Sequence, residues 1–542
     1  MGKRFNLFSR ESQVLRDFMV PGRSAVHGQN AMAATSHPFA TYAAVKALHD
    51  GGNAVDGAIA AAAVLAVVEP QSTGIGGDCF ALFCPKGSAR VIAYNGSGRS
   101  PGAATLARYR ELGLDEIATD SVHAVTLPGA IDAWCRLHGD HGSLEFARLL
   151  APAIGYARDG YPVFARVRHD WLQAKDLLAA GQAARATFLP DNQVPGEGDI
   201  HYQPQLATTL DIIARDGSKG FYQGPVAEAM QATLGQQGGL HSMEDFAAVA
   251  GDYVDAISTN YRGYDIHQIP PNNQGLTALV MLNVLEGFDL NAYPPLSAER
   301  THLEIEAGRL AFEMRNRHMA DLSSMTVPME RLLSKQWATD LRARISVDRA
   351  MPDISDLGLQ KSDTVYLSVV DRDLNAVSFI NSVFHSFGSG ILCPQTGVMF
   401  QNRGASFNLN ADHPNCMGPG KRPMHTIMPG MMTKGDRVEM PFGVMGGDYQ
   451  PFGHCRLITN MVDYGLDVQA ALDMPRVFAT GQEVEVETSL PAETVQGLKA
   501  RGHTVRTVES PHGGGQAIHI DHTRGVLTGG SDPRKDGCAL GF

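Results

Sequence analysis

Residue types suited to acyl chemistry occur at a few points of this 542-residue chain. Thr364 follows the breaker- and charge-rich run DRAMPDISDLGLQKSD (348–363) and opens the apolar stretch TVYLSVVD (364–371). A threonine hydroxyl is a weak nucleophile and needs an adjacent base. If the Asp363–Thr364 bond is cut, Thr364 becomes an N-terminus, and its own α-amine, with an unperturbed pKa of roughly 7.7–8.0, supplies that base. Cleavage would then switch the site on. Gly446-Gly447 stand in a turn before a predicted helix. Two successive backbone N–H groups there can face one oxyanion with no side chain in the way. Ser382 falls on the strand predicted to pair with that of Thr364, within reach of its hydroxyl or amine. Arg403, in QNRGASF, can hold a carboxylate bidentately. Each has an ordinary alternative: a strand-opening threonine, a Gly-Gly turn, a structural hydroxyl, a surface cation. The residues alone leave both readings open.

Other chemistries find less support. Among the 20 histidines, His37, His385, His425 and His454 show no HExxH-type spacing and read as structural. The seven cysteines are scattered without a CxxC, so a zinc site is not expected and reduced, buried thiols are. There is no Walker loop, and GIGGD (74–78) is not a dinucleotide fingerprint. No metal or organic cofactor is implied. A net charge of −12 argues against a nucleic-acid partner but leaves room for a locally cationic site that takes an anionic substrate. The N-terminal MGKRFNLFSRESQVLRDF lacks an apolar signal core, and the Ala-rich run Ala58–Val68, about eleven residues, is too short to span a bilayer. A cytoplasmic protein without membrane partners is expected.

The elements that must position these groups follow from periodicity. Residues 38–69 read as helix, interrupted at Gly51-Gly52 and restarted at Asn53, a good N-cap. The Gly-dense turn 69–78 leads into a strand, CFALFC (79–84). The middle, roughly 120–345, is dominated by helical patterns: 129–137, 144–159, 274–285 and 301–317. In the last, Leu303, Ala307, Leu310, Ala311 and Met314 make an apolar stripe, which leaves Glu313, Arg315 and Arg317 to a solvated face. TVYLSVVD, the turn RDLN and AVSFINSVF (376–384) form a hairpin. Beyond residue 440 a helix is expected at about 455–464, another ends at Pro475, and strands are expected at 484–488, 517–520 and 525–529. This order suggests a mixed sheet with helices on both faces.

Seven motifs, in order, carry a resemblance to the γ-glutamyltransferase family of N-terminal-nucleophile hydrolases from about residue 30 to the end. They are SHPFATYAAVKALHDGGNAVDGAIAAAAVLAVVEPQSTGIGGD (36–78), DTVYLSVVDRDLNAVS (363–378), FGSGI (387–391), GKRPMHTIMP (420–429), GGDYQPFGH (446–454), DYGLDVQAALDMPR (463–476) and GGSDPRKDG (529–537). The resemblance implies an α/β chain folded as a four-layer αββα sandwich with an added helical region. It also implies a precursor cut between Asp363 and Thr364 into a large chain, 1–363, and a small chain, 364–542, which stay together as one αββα heterodimer. Aligned on these motifs, the nucleophile falls on Thr364, its neighbouring hydroxyl on Ser382, where relatives often have Thr, and the oxyanion glycines on Gly446 and Gly447.

The departures concern the headgroup that such enzymes hold. The arginine that grips a glutamyl α-carboxylate falls on Ser97, in AYNGSGRSP, with Arg99 nearby but out of register. A serine pair for the same carboxylate is replaced by His425-Thr426, the acid for the α-amino group by Ser406, and a neighbouring asparagine by Phe384. Arg403 stands where the classical enzymes carry a neutral residue, and Asp448 directly follows the glycine pair; both join Ser406, His425 and Thr426 as substrate-binding candidates. This pattern resembles the branch that includes oxamate amidohydrolase and cephalosporin-acylase-like proteins. The expectation is an amidohydrolase of a small, carboxylate-bearing amide, acting through an acyl-Thr intermediate. The alternatives are a γ-glutamyl hydrolase or transferase acting on glutathione or γ-glutamyl amides, with Arg99 or Arg403 as replacement anchor, and a non-catalytic binding protein on the same fold. A higher oligomer is compatible with all three.

Overall fold

Asn53 begins a helix for a local reason: its side chain accepts from the N–H groups of Val55 and Asp56, while the Asp56 carboxylate accepts from the Asn53 N–H. This reciprocal cap fixes the start of an Ala/Val helix buried along its whole length. The computed structural model describes residues 16, 18–19, 21–352, 364–481 and 483–542. In chain order the elements that matter here are β1 (Val26–Gly28), β2 (Met32–Thr35), α1 (Pro38–His49), α2 (Ala54–Val68), β3 (Asp78–Cys84) and β4 (Ile92–Gly96). After α3 (Ala130–His141) and α4 (Phe146–Asp159) come β5 (Asp252–Val254), β6 (Ile257–Tyr261), β7 (Tyr264–Gln268), α5 (Gly275–Leu285) and α6 (Ala298–His318). The remainder supplies β8 (Val365–Val370), β9 (Ala376–Ser382), β10 (Gly430–Lys434), β11 (Arg437–Met445), α7 (Gln450–Val462), β12 (Gly514–Asp521), β13 (Val526–Ser531) and β14 (Cys538–Gly541).

Two seven-stranded sheets result, ordered β1-β13-β12-β11-β10-β7-β6 and β14-β2-β8-β9-β3-β4-β5. Their pairings are antiparallel throughout. The expected single mixed sheet is therefore corrected. Sequential strands such as β6-β7, β8-β9, β10-β11 and β12-β13 pair as hairpins, and the helices are inserted between hairpins instead of crossing over within one sheet. Side chains such as Phe80, Tyr366, Ile380, Met431, Met445 and Ile518 fill the space between the sheets. One outer face is covered by α1, α2, α3 and α4. The other is covered by α5, α6 and α7. This is the four-layer αββα sandwich, with further helices between 160 and 250 as the added helical region.

β8 shows why the strand after Thr364 reads as continuously apolar. Val365, Leu367 and Val369 pack toward the helices, and Tyr366 and Val370 point between the sheets. Both faces are buried, so no polar alternation survives. Three strands at 252–268 lie within the region read as helical; each is only three to five residues long, too short for its period to stand out among the surrounding helices. The helix expected at about 455–464 begins earlier, at Gln450, with Pro451 in its first turn, where a proline loses no hydrogen bond. Asp363 and most of the run preceding Thr364 lie outside the described residues. Among the described residues no helix is long and apolar enough to cross a membrane.

Segments before and after residue 364 interleave in both sheets. In one, β2 lies between β14 and β8, and β9 pairs with β3; in the other, β1 pairs with β13 and β10 with β7.

Candidate active site

Thr364 precedes the first residue of β8 and is fully buried. Its Oγ1 lies 3.2 Å from Ser382 Oγ, on the last residue of the paired strand β9. Ser382 Oγ also accepts from the Phe384 N–H at 2.9 Å. Across the next ladder, Ser382 stands in register with Asp78 of β3. The hairpin thus aligns two hydroxyls through backbone pairing, and the neighbouring strand brings a carboxylate to the same sheet end. In the unbroken chain the Thr364 nitrogen is an amide and has no basic lone pair; only a cut before it makes an amine.

Gly446 and Gly447 follow β11, with φ values of 114° and 57°. A Cβ on Gly446 would sit 2.8 Å from the Gly513 Cα, so both the backbone angle and the close approach require glycine. The turn leads at once into a short 3₁₀ segment and α7. A helix start presents N–H groups and favours negative charge, the geometry an oxyanion needs.

The substrate-binding candidates divide into three sets. Arg403 is fully buried, donates from Nη1 to Thr426 Oγ1 at 2.9 Å, and has its Cζ 3.8 Å from the centre of the Phe384 ring. Its Nε and Nη2 have no protein acceptor among the described residues. Burial lowers its pKa to about 9, against the opposing pull of Asp78 and Asp448. Phe384 holds φ at +81°, a region in which a bulky side chain is strained. In that conformation the ring lies against the guanidinium.

His425 belongs to a different contact. Its Nε2 lies 2.9 Å from Asp78 Oδ2. Burial, then the Arg403 charge, lower its pKa to about 3 despite that carboxylate, so the ring is neutral and donates a hydrogen bond instead of forming an ion pair. Asp78 in turn accepts from the N–H groups of Gly98 and Gly129 and from Gln401 Nε2. His425 thus helps to hold the strand end.

Ser406, Thr426, Phe384 and Asp448 wall a cavity of about 210 Å³, together with Arg315, Asn316 and His413. Asp448 is ion-paired with Arg315. This corrects the reading of Arg315 as a solvated charge: it is 3 % exposed, because α6 is buried on nearly all sides and its last turns reach under the Gly446-Gly447 turn. Glu313 and Arg317 do face outward and pair with each other. Ser406 Oγ has no hydrogen-bond partner among the described residues.

The two positions once compared with the glutamyl-gripping arginine are spoken for elsewhere. Ser97 donates to Asn95 Oδ1 at 2.6 Å and accepts from Asn272. Arg99 is half-exposed and faces Asp252 and Asp321 at 3.6 and 3.8 Å. Of the other histidines, His37 caps α1 by accepting from the Phe39 N–H, His454 accepts from the Val444 N–H, and His385 Nδ1 meets Asn402 Nδ2. His302 and His503, far apart in the chain, meet at 2.7 Å near Glu306; with His302 also bonded to the Ser346 carbonyl, a hydrogen-bonded imidazole pair accounts for the cluster.

The residues that sequence reasoning missed are Asp78, Gln274 and Arg315. Asp78 sat in plain view at the end of GIGGD; nothing marked Gln274, and the helical stripe misdirected Arg315.

Comparison with known proteins gives a consistent result. Residues 40–542 match the gamma-glutamyltranspeptidase family. The chain is 37% identical over 528 residues to a glutathione hydrolase-like proenzyme (YwrD) of Bacillus subtilis, covering 96% of this chain and 99% of that protein. It is 32% identical over 532 residues to an oxamate amidohydrolase proenzyme of Klebsiella pneumoniae, covering 96% and 99%. Among solved structures, a cephalosporin acylase from Bacillus halodurans superposes with a TM-score of 0.92 at 40% identity, covering 97% of this chain and 99% of that one.

Proposed function

This chain belongs to the gamma-glutamyltranspeptidase family, and we propose that it is a precursor that cuts itself between Asp363 and Thr364 and then hydrolyses the amide of a small acyl group bearing a carboxylate but no ammonium. The observations that carry the reading are the pairing of the Thr364 and Ser382 hydroxyls at 3.2 Å and a fully buried Arg403, packed on the ring of Phe384, whose N–H reaches Ser382, with Nε and Nη2 lacking an acceptor among the described residues. Relatives named as proenzymes, including an amidohydrolase, support the self-processing step.

In the matured protein the Thr364 hydroxyl attacks the amide carbonyl carbon while its proton passes to the α-amine. The N–H groups of the Gly446-Gly447 turn take the developing oxyanion. Collapse expels the leaving amine, which takes the proton from the α-amine, and leaves an acyl ester on Thr364 Oγ1. Water, deprotonated by the same amine, attacks the ester; the acyl C–Oγ1 bond breaks, the Thr364 oxygen takes the proton back from the amine, and the acid is released. Ser382 orients the nucleophile. The two products of the cut stay together in this scheme, since each sheet takes strands from both sides of residue 364 and neither half has a complete sheet of its own.

The acyl preference follows from charge. A carboxylate placed against Arg403 finds donors that are otherwise unsatisfied. An ammonium finds no spare anion in the cavity wall, because Asp448 is engaged by Arg315 and Ser406 offers only a hydroxyl. Burying an unpaired charge costs several kcal/mol. Three p-nitroanilides separate the possibilities: glutaryl, γ-glutamyl (the same skeleton with an ammonium) and pentanoyl (the same length without the carboxylate). Glutaryl should exceed both others in kcat/KM by about a hundredfold. Preference for γ-glutamyl would return the protein to the transpeptidase reading. A Thr364→Ala chain that still matures and turns over would remove the nucleophile assignment.

A further inference from the structure

The segment PPNNQG (270–275) has no part in the mechanism above, yet three of its side chains are buried amides: Asn272, Asn273 and Gln274, none more than 1 % exposed. All three reach for main-chain carbonyls of the irregular segment that carries His425 and Thr426. Asn272 Nδ2 donates to Pro423 O at 2.7 Å, and Asn273 Nδ2 donates to Ile427 O. Gln274 does more. Its Nε2 donates both to Thr426 O at 2.6 Å and to Gly447 O at 2.9 Å, and its Oε1 accepts from Arg315 Nη1 at 2.8 Å. Arg315 is donor-only, so the amide has one possible orientation: oxygen to Arg315, nitrogen to the two carbonyls. The Gln274 main chain adds a bond from its own N–H to His425 O at 2.9 Å.

One side chain therefore ties together the two halves of the site. Thr426 carries the hydroxyl that accepts from Arg403. Gly447 belongs to the left-handed turn that leads to α7. Two glycines have no side chains by which the surroundings could hold them, and each has wide backbone freedom. Fixing the Gly447 carbonyl fixes the plane of the Gly447–Asp448 peptide. The ion pair between Arg315 and Asp448 fixes the next side chain from the same anchor.

We propose that Gln274, anchored by Arg315, is a positioning residue that holds the oxyanion turn at a set distance from the acyl clamp of Arg403 and Thr426. The proposal rests on the amidohydrolase reading for its kinetic consequence but not for its structural one. An oxyanion donor is used in the transition state and not in substrate binding, so loosening the turn lowers kcat and leaves KM nearly unchanged.

The test uses the full-length, matured protein with Gln274→Glu, which keeps an acceptor for Arg315 and turns an oxygen toward both carbonyls. Turnover of glutaryl p-nitroanilide is normalised to the amount of matured Thr364 chain. The expected result is a kcat lower by about ten- to a hundredfold with KM within about threefold of wild type. Hydrogen exchange of the peptide covering 446–449 is the second readout: about tenfold faster exchange there, with β8 unchanged, is expected. If Gln274→Glu does not mature, Gln274→Met, similar in length and uncharged, takes its place in both measurements. Unchanged kcat per matured chain, as a merely structural residue would give, overturns the proposal. So does a raised KM at constant kcat, or unchanged exchange at 446–449. A wild-type protein that turns over none of the acyl anilides refutes the amidohydrolase reading instead, and the exchange measurement still decides the brace.

Discussion

Replacing Arg403 by Met should move activity and stability in opposite directions. Arg403 is fully buried, and burial lowers its pKa from the ordinary guanidinium range to about 9 even with Asp78 and Asp448 nearby. That shift corresponds to a cost on the order of 5 kcal/mol for keeping the charge inside. Against it stand the contact with the Phe384 ring and the one hydrogen bond to Thr426. These return roughly 1–2 and about 1.5–2 kcal/mol. Met fills similar space with no charge to desolvate, so the empty protein should gain about 1–2 kcal/mol by this bookkeeping. With a carboxylate substrate bound, the sign reverses. The variant forfeits charge-assisted bonds from Nε and Nη2 worth about 3 kcal/mol, or roughly a hundredfold in kcat/KM. A pentanoyl amide has no such bonds to lose. The assay is a urea midpoint for the matured protein beside kcat/KM for glutaryl and pentanoyl p-nitroanilides. A destabilised variant would mean that Arg403 is a structural cation. An equal loss on both anilides would mean that it does not read the acyl carboxylate.

Other outcomes follow from the same geometry. Thr364→Ala should remain one uncut chain on a denaturing gel, whereas Thr364→Ser, which keeps a hydroxyl, should still yield 1–363 and 364–542; mass spectrometry of the products checks the cut position. Ser382→Ala removes the 3.2 Å partner of Thr364 and the acceptor of the Phe384 N–H; kcat should fall about tenfold and stability by about 1–3 kcal/mol, while Ser382→Thr should stay near wild type in both. Stability should also fall with acid before carboxylates protonate. Burial holds the imidazoles of His37, His425 and His454 down to about 3. Between that value and the ordinary 6.5 the unfolded chain binds more protons than the folded one, so each contributes up to about 1.4 kcal/mol per pH unit of lost stability as pH falls below 6.5. Denaturant midpoints at pH 7 and pH 5 measure it, and equal midpoints would show that these rings are not held neutral.

Local pattern was enough for much of this protein. The capped Ala/Val helix, the 364–384 hairpin and the strand character of 517–520 and 525–529 are encoded in neighbouring residues, because helix period, strand propensity and capping act over a few positions. The order of motifs was enough for the family, and it singled out Thr364, Ser382 and the two glycines as candidates. Tertiary structure decided the rest. The hairpin could be read, but not that it lies in an all-antiparallel sheet between strands from residues 32–35 and 78–84, since pairing between distant strands leaves no local mark. Arg403 could be named, yet whether it was a surface cation or a buried one with idle donors depended on what packed around it. His425 could be named as a candidate, but not its bond to Asp78, 347 positions away. Arg315 looked solvated because amphipathic reasoning assumes one buried face, and α6 is enclosed by α5, by α7, by the helix Ala492–Ala500 and by the strand Val477–Ala479. Charge placement in a buried site depends on long-range neighbours, and only the folded chain brings those neighbours together.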